Sequence, residues 1–422
     1  MVRVGAGVVD ITPPAGLAMT GFGARTEPAT GAHDRLTARA LVIGDTAVVV
    51  ADVLGIDAAM SARIRARSGL DERAVVVAAV HNHGGPVSMA GRLGAEAEPN
   101  FLQMLEDGCV EALRMARETA CECSLHFGYG AEPGIGKNRR HADGPIDRKL
   151  PVLIARNAGG EALAVLTSYA CHPVVLDATN LLWTADYPHF LRAEVEGYFP
   201  GAVAVFLTGC AGDINTGHTA QASMSLAANP ARTYTEAERI GRAIARSVCE
   251  AVVEPVMVEK TAFAEAMTLL DFERREAESL PELVRQWSMA ADEAEGPQKV
   301  IFRAWAAWAH RFAEDPLLPL QARVSAMRWG GVGLAALPGE IFSQTALDIR
   351  TLMGLPGFVI CYADDNPGYI PPAPEYAHGG YEVDEAHRYY GLPASFAKGS
   401  AERLVEAAAH ALEQAGKGAK TA

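Results

Sequence analysis

Five short apolar runs in this chain each break off abruptly into polar residues set beside glycine or proline. AVVVAAV (74–80) leads into His81-Asn82-His83-Gly84-Gly85-Pro86, and LAVLTSYAC (163–171) leads into His172-Pro173. AVAVFLTG (202–209) leads into Cys210-Ala211-Gly212-Asp213-Ile214-Asn215. GVGLAALPG (331–339) delivers Glu340, and GFVICYA (357–363) delivers Asp364-Asp365-Asn366. Apolar, β-branched runs of this length bounded by turn residues read as buried strands. In α/β proteins, ligands and catalytic groups collect outside the carboxyl ends of strands, on loops that a rigid sheet holds in place. One such strand end says little. Five point to a single shared site.

Further runs at Val2–Val9, Ala38–Ile43, Ala47–Asp52, Pro151–Ala155 and Ala322–Trp329 also read as strands. The turns Gly44-Asp45, Asn157–Gly160 and Gly330-Gly331 join neighbours as hairpins, while other strands are followed by helices. The pattern predicts an α/β fold: a mixed β-sheet core with flanking helices and the active site at the carboxyl ends of the strands. A helix is expected over Thr235–Val253, with Thr235 and Glu238 as its capping box. Glu276–Ala313 holds three of the five tryptophans and reads as helical, leaving open a hairpin over the sheet, a lid, or the surface of a homo-oligomer. A last helix is expected over about Ser400–Gln414, with a frayed tail. Without repeats or a linker, residues 1–422 are expected to form one domain with a helical insertion at 276–313.

Charge narrows the function. Thirty-seven Lys and Arg against 51 Asp and Glu leave a net charge of −14, which argues against nucleic-acid partners and adhesion to anionic membranes. No run reaches the ~18–20 apolar residues of a membrane helix, and the N-terminus lacks a signal-peptide core. Seven scattered cysteines fit a reduced chain. The expectation is a cytoplasmic enzyme with a small-molecule substrate.

Two imidazoles and a carboxylate form the usual protein set of a catalytic Zn²⁺ site that keeps a position for water. Such an ion lowers the pKa of water from about 15.7 to about 7. His81, His83, His172 and Glu340 fit that chemistry, with Asp186 or Asp213 as carboxylates that orient an imidazole or hold the water. Blander readings stand beside each: a satisfied core histidine for His172, a helix-dipole carboxylate for Glu340, a local turn for Asp213. At spacing two, His81 and His83 share a face only if the strand continues.

The motifs also resemble a known family, the neutral (alkaline, non-lysosomal) ceramidases. VGAGVVDITPPAGLAMTGFG, TARALVIGDTAVVVADVLG, HNHGGP, GKNRR, CAGDIN, LPGEIF and PEYAHGGYE are similar to that family's opening, HTHSGP motif, Asn-Arg stretch, nucleophile loop, PGEF segment and EEY…YE stretch. The likeness runs through nearly the whole chain and leaves no length for the family's C-terminal immunoglobulin-like domain. It implies one Zn²⁺ bound by His81, His172, Glu340 and Tyr376, with His83, Arg139 and Tyr390 polarising the substrate. The family's serine nucleophile falls at Asn215, whose amide cannot attack. The resemblance thus implies attack by zinc-bound hydroxide, with His83 carrying the proton and Asn215 donating to the substrate. The expected substrate is a small soluble amide (N-acyl), ester or lactone, so this is a ceramidase-like amidohydrolase. Two alternatives remain: a metal-dependent lyase or isomerase working through an enolate with His83 or Asp213 as base, and a non-catalytic binding protein.

Overall fold

The structure is a computed structural model that describes residues 1–93, 96–220, 225–227 and 229–420. Among the described residues the larger sheet has nine strands. They are β1 (Val2–Asp10), β2 (Thr37–Ile43), β3 (Thr46–Ala51), β4 (Val75–Ala79), β5 (Cys121–Gly130), β6 (Leu150–Asn157), β7 (Ala162–Tyr169), β8 (Val203–Thr208) and β9 (Val252–Val256). Their spatial order is β8-β7-β6-β5-β1-β2-β3-β4, with β9 paired to β5. The β7–β8 and β3–β4 pairs are parallel and the rest antiparallel, so the sheet is mixed as the turns predict. β2, β3 and β4 are buried along their whole length. That is why they read as continuous apolar runs and do not alternate.

A second sheet holds β10 (Thr261–Leu270), β11 (Leu320–Trp329), β12 (Val332–Ala336) and β13 (Gly357–Ile360), in that spatial order. Eight helices complete the described chain: α1 (Ala58–Arg67), α2 (Pro99–Glu118), α3 (Tyr187–Tyr198), α4 (Tyr234–Cys249), α5 (Leu280–Glu293), α6 (Gly296–Arg311), α7 (Ser343–Met353) and α8 (Ser400–Lys420). α2 lies directly on β1. A Cβ at Gly5 would fall 1.9 Å from the carbonyl oxygen of Ala116, so only glycine permits that approach. No described helix is long and apolar enough to cross a membrane.

β4 and β8 end the pairing order at opposite edges, yet they meet. Thr208 Oγ1 at the end of β8 donates to the carbonyl of Val80 at 2.6 Å. Arg39 on β2 reaches Ala204 O on β8 at 2.9 Å. The large sheet curls until its edges close, which also hides strand edges that would otherwise be free to pair. The chain leaving β13 runs into this seam. Cys361 N donates to Thr208 O (3.2 Å), Ala79 N to Tyr362 O (3.0 Å) and Ala363 N to Leu337 O (3.1 Å). The five polar-ended strands of the sequence are β4, β7, β8, β12 and β13, and they end together here.

Several local expectations shift. β5, β9 and β10 escape the apolar pattern because each is partly exposed. The α4 cap is Thr233, whose side chain accepts from Glu236 N at 3.2 Å. The N-cap therefore sits two residues before the expected Thr235, and Val252 and Val253 leave the expected helix to pair with β5. The C-terminal helix continues to Lys420. Residues 280–311 form a helical hairpin, α5–α6, whose Trp287, Trp305 and Trp308 surround the Arg388 guanidinium at 5.0, 4.8 and 5.7 Å.

Arg388 and His387 both bond Glu276 Oε1 at 3.1 Å, just before the hairpin. Burial pushes the Glu276 carboxyl up, but His387 and Arg388 outweigh it and hold it at about 2. A carboxylate depressed on folding stabilises above its unfolded pKa of about 4.3, and that stabilisation is lost as pH falls through about 2. Glu276→Gln should lower the melting temperature at neutral pH, and the gap to wild type should close as pH drops from about 5 toward 2. Thermal melts followed by tryptophan fluorescence across that range measure it.

Candidate metal centre and cleft

His81 leaves β4 in left-handed backbone (φ 67°), and Tyr362 leaves β13 the same way (φ 56°). Non-glycine residues hold such conformations, at ~1–3 kcal/mol each, only where the surroundings over-determine them. Here the two rings stack, with centroids 3.9 Å apart and planes 9° apart. The turn takes His81 off the strand, so His81 and His83 are not the same-face strand pair that spacing predicts. Both rings nevertheless reach one centre. One nitrogen from each of His81, His83 and His172 lies within 4.8 Å of the others.

Two of these rings are fixed by backbone. His81 Nδ1 is 2.6 Å from Leu54 O, and His172 Nδ1 bonds the carbonyls of Ala211 and Ile214. A carbonyl only accepts, so each Nδ1 carries the proton and each Nε2 presents a lone pair, the arrangement typical of metal-bound histidine. Glu340, fully buried on the short strand Glu340–Ile341, faces both lone pairs. Its Oε2 stands 2.9 Å from His172 Nε2 and 3.3 Å from His81 Nε2. Three acceptors aimed at one point call for a cation among them. His81 Nε2 and both His83 nitrogens are buried without a hydrogen-bond partner. The residues present therefore fit a divalent ion held by His81, His172 and Glu340, with His83 beside it.

Burial pushes the Glu340 carboxyl up, but the positive charge the two imidazoles would carry if protonated holds it well below the usual carboxylate range; a bound cation would take over that role with both Nε2 atoms unprotonated. Burial, then the two neighbouring imidazoles, pushes His83 well down and leaves it neutral. The Tyr390 hydroxyl donates to Glu340 Oε1. Burial and the Glu340 charge hold that phenol well above its usual value, hence protonated. Arg139 Nε donates to Glu382 Oε1 at 2.9 Å and Nη2 to Tyr369 Oη at 3.0 Å.

These groups open onto a cleft of about 950 Å³. Val300, Ile301 and Ala304 of α6 form part of its wall, with Leu93 and Tyr389, so the hairpin faces the site. Gly21 (φ 99°) lies beneath His83, where a Cβ would come within 2.6 Å of the ring.

The family model described as neutral/alkaline non-lysosomal ceramidase, N-terminal, matches residues 2–216, just over half of the chain. The chain belongs to that family. A neutral ceramidase of Mycobacterium tuberculosis is 24% identical over 284 residues, covering 57% of this chain and 44% of the relative. The chain thus spans less than half the length of that relative. The crystal structure of neutral ceramidase from Pseudomonas aeruginosa superposes with a TM-score of 0.73 at 20% identity, over 98% of this chain and 75% of that one. A ceramidase complexed with C2 gives 0.71 at 19% identity, with the same coverage. At such identities these structures establish the fold.

Within this ceramidase-family chain, not every expected residue reaches the centre. Tyr376 does not: its hydroxyl donates to Phe396 O at 2.8 Å, and it lines a separate small cavity beside His387 and Leu392. The phenol at Glu340 is Tyr390. Asp213 is buried away from the cleft wall, its Oδ1 accepting from Ser343 N at the start of α7 and its Oδ2 from Asn138 Nδ2, both at 2.8 Å. Burial raises its carboxyl to about 6. Asp186 accepts from Tyr187 N and Leu176 N, shaping the loop after His172. Neither aspartate orients an imidazole, because backbone carbonyls do that. Asn215 lines the cleft, but its amide folds back on its own turn. Oδ1 accepts from Gly217 N (2.8 Å) and His218 N (3.0 Å), and Nδ2 donates to His218 O (2.7 Å).

Tyr362, Phe22 and Arg232 also shape the site, and the sequence does not single them out. Tyr362 had a signal, since it belongs to the fifth polar-ended strand. Phe22 lies in the quoted opening motif without a role assigned to it, and Arg232 had no signal.

Tyr390→Phe should weaken zinc binding by roughly 10–100-fold, the usual cost of losing a group that braces a ligand. Tyr376→Phe should leave it unchanged. Titration calorimetry of both variants with Zn²⁺ decides between the two tyrosines.

Proposed function

We propose that this chain is a metal-dependent hydrolase that cleaves the amide bond of an N-acyl compound, with esters and lactones within reach of the same chemistry. The observation that carries this reading is the convergence of two backbone-fixed imidazole lone pairs and a buried carboxylate at the floor of a cleft. Family membership adds that relatives bear the name neutral ceramidase. A single zinc ion held by His81, His172 and Glu340 would supply Lewis acidity, polarising the carbonyl and acidifying a water toward pKa ~7.

The protein's own groups divide the remaining work. His83 is neutral and unpartnered at the cleft, so it can take a proton from the attacking water and return it to the leaving nitrogen. Arg139, pinned by Glu382 and Tyr369, presents a preorganised cation where the carbonyl oxygen gains charge. Tyr390 fixes the orientation of Glu340. Asn215 offers no nucleophile, so water attacks directly. The apolar wall of Leu93, Val300, Ile301 and Tyr389 suits an acyl chain.

Removing the metal with a chelator should abolish hydrolysis of N-acyl test amides, and Zn²⁺ should restore it. His81→Ala should lose stoichiometric zinc. His83→Ala should keep zinc while turnover falls about 10²–10⁴-fold. In ¹⁸O-water, hydrolysis places solvent oxygen in the acid product, whereas an enolate route leaves the product unlabelled. A metal-free protein of undiminished activity would overturn the assignment.

A further inference from the structure

Arg232 stands at the cleft wall with no acid to pair it. Its Nε donates to Val175 O (3.2 Å), and its Nη2 donates to Val174 O (2.9 Å) and Leu176 O (2.6 Å). These are consecutive carbonyls of the loop that follows His172. Nη1 makes no hydrogen bond among the described residues, and no carboxylate there comes within ion-pair distance of the guanidinium. Carbonyl oxygens orient a cation without neutralising it. The side chain is mostly buried, at 7% exposure, so a positive charge without a direct ion pair is held inside a protein of net charge −14.

The nearest carboxylates act on it only from beyond ion-pair distance. Burial pushes the Arg232 guanidinium down from its usual value, opposed only by the more distant Asp177 and Asp186. Asp177 is engaged by Thr179, and Asp186 by Leu176 and Tyr187. Arg25 is a second cation over the Phe22 ring, at 5.0 Å, and is also spent on carbonyls, those of Thr20, His83 and Asn180. His218 lines the same cleft. Burial, then Arg232, pushes it down to about 4, so it is a neutral imidazole. An unpaired buried charge is costly, and a ligand that brings the opposite charge recovers that cost.

The placement matches the reaction. Arg232 lies 5.6 Å from the centroid of Phe22, whose ring is 4.9 Å from that of His83. One aromatic ring thus separates the cation from the group that handles the proton.

We propose that Arg232 is the specificity determinant of this cleft, receiving the carboxylate of an N-acyl amino acid whose amide bond lies over His83 and Glu340. This rests on the hydrolase reading and narrows its substrate class to anionic amides. In the reaction the amide C–N bond breaks, the water oxygen joins the acyl carbon, and both water protons end on the released amine. The products are a carboxylate and an ammonium. An uncharged lipid amide would leave Arg232 without an ion pair.

The test pairs N-octanoylglycine with N-octanoylglycinamide, equal in chain length and different in charge. Both are given to the zinc-loaded full chain, and their binding to the zinc-free chain is measured by calorimetry. The carboxylate should be favoured roughly tenfold or more in kcat/KM, mostly through KM, and similarly in binding, the scale of one hydrogen bond to a charged group. Arg232→Gln should bring the ratio between the two compounds close to one, and Arg232→Lys should retain part of it. Because both compounds meet the same preparation, partial misfolding of a variant does not alter the ratio. Equal handling by the wild type, or an unchanged ratio in Arg232→Gln, overturns the proposal. If neither compound is cleaved, the hydrolase reading fails, while the binding ratio still decides the role of Arg232.

Discussion

The seam where β4 meets β8 governs what the cleft contains. A curled sheet can close only if its edge strands find partners, and here the partners are a threonine hydroxyl and the chain leaving β13. Closure brings the carboxyl ends of strands far apart in sequence to one place. It also turns the chain sharply, which puts His81 and Tyr362 into left-handed backbone and stacks their rings. The strain and the stacking are two sides of one constraint. Relaxing the His81 φ would swing its ring away from Glu340.

Around that seam, charge is balanced unevenly. On one side Glu382 bridges Arg139 and Arg140, and Glu375 holds Arg140 and His141, a continuous network of opposite charges. That network locks Arg139 at the cleft. On the other side Arg25 and Arg232 bond backbone carbonyls and lie over the Phe22 ring, with Asp177 acting on both only from beyond ion-pair distance. Paired buried charges make a rigid scaffold, whereas unpaired ones mark where the molecule expects something from outside. The cleft lies between the two.

The fold was legible where burial is complete. The fully buried strands announced themselves as apolar runs, and their polar ends named His81, His83, His172 and Glu340. β5 and β9 gave weaker signals because few of their residues are buried. The tyrosines were hard to place for a different reason. Residues 373–388 follow irregular 3-10 and π turns, so no periodicity says which of the neighbouring phenols points inward, and the family resemblance assigned Tyr376 to the metal and Tyr390 to the substrate. The partners of the histidine Nδ1 atoms were illegible in principle, since they are backbone carbonyls of Leu54, Ala211 and Ile214, and a carbonyl leaves no mark on the sequence.

Asn215 ties these strands of reasoning together. A hydroxyl at this position could attack a substrate, whereas an amide can both accept and donate within one turn, and Asn215 does so with Gly217 and His218. The side chain therefore acts on the path of the chain. It fixes the turn that sets His218 at the cleft wall, in the electrostatic reach of Arg232. In the proposed mechanism, with a turn-former where the family resemblance places a nucleophile, bond cleavage falls to water and to the groups around Glu340. The turn also builds, a few residues on, a neutral imidazole beside an unpaired guanidinium. On the proposed reading, the residue that takes a nucleophile's place instead shapes a polar subsite.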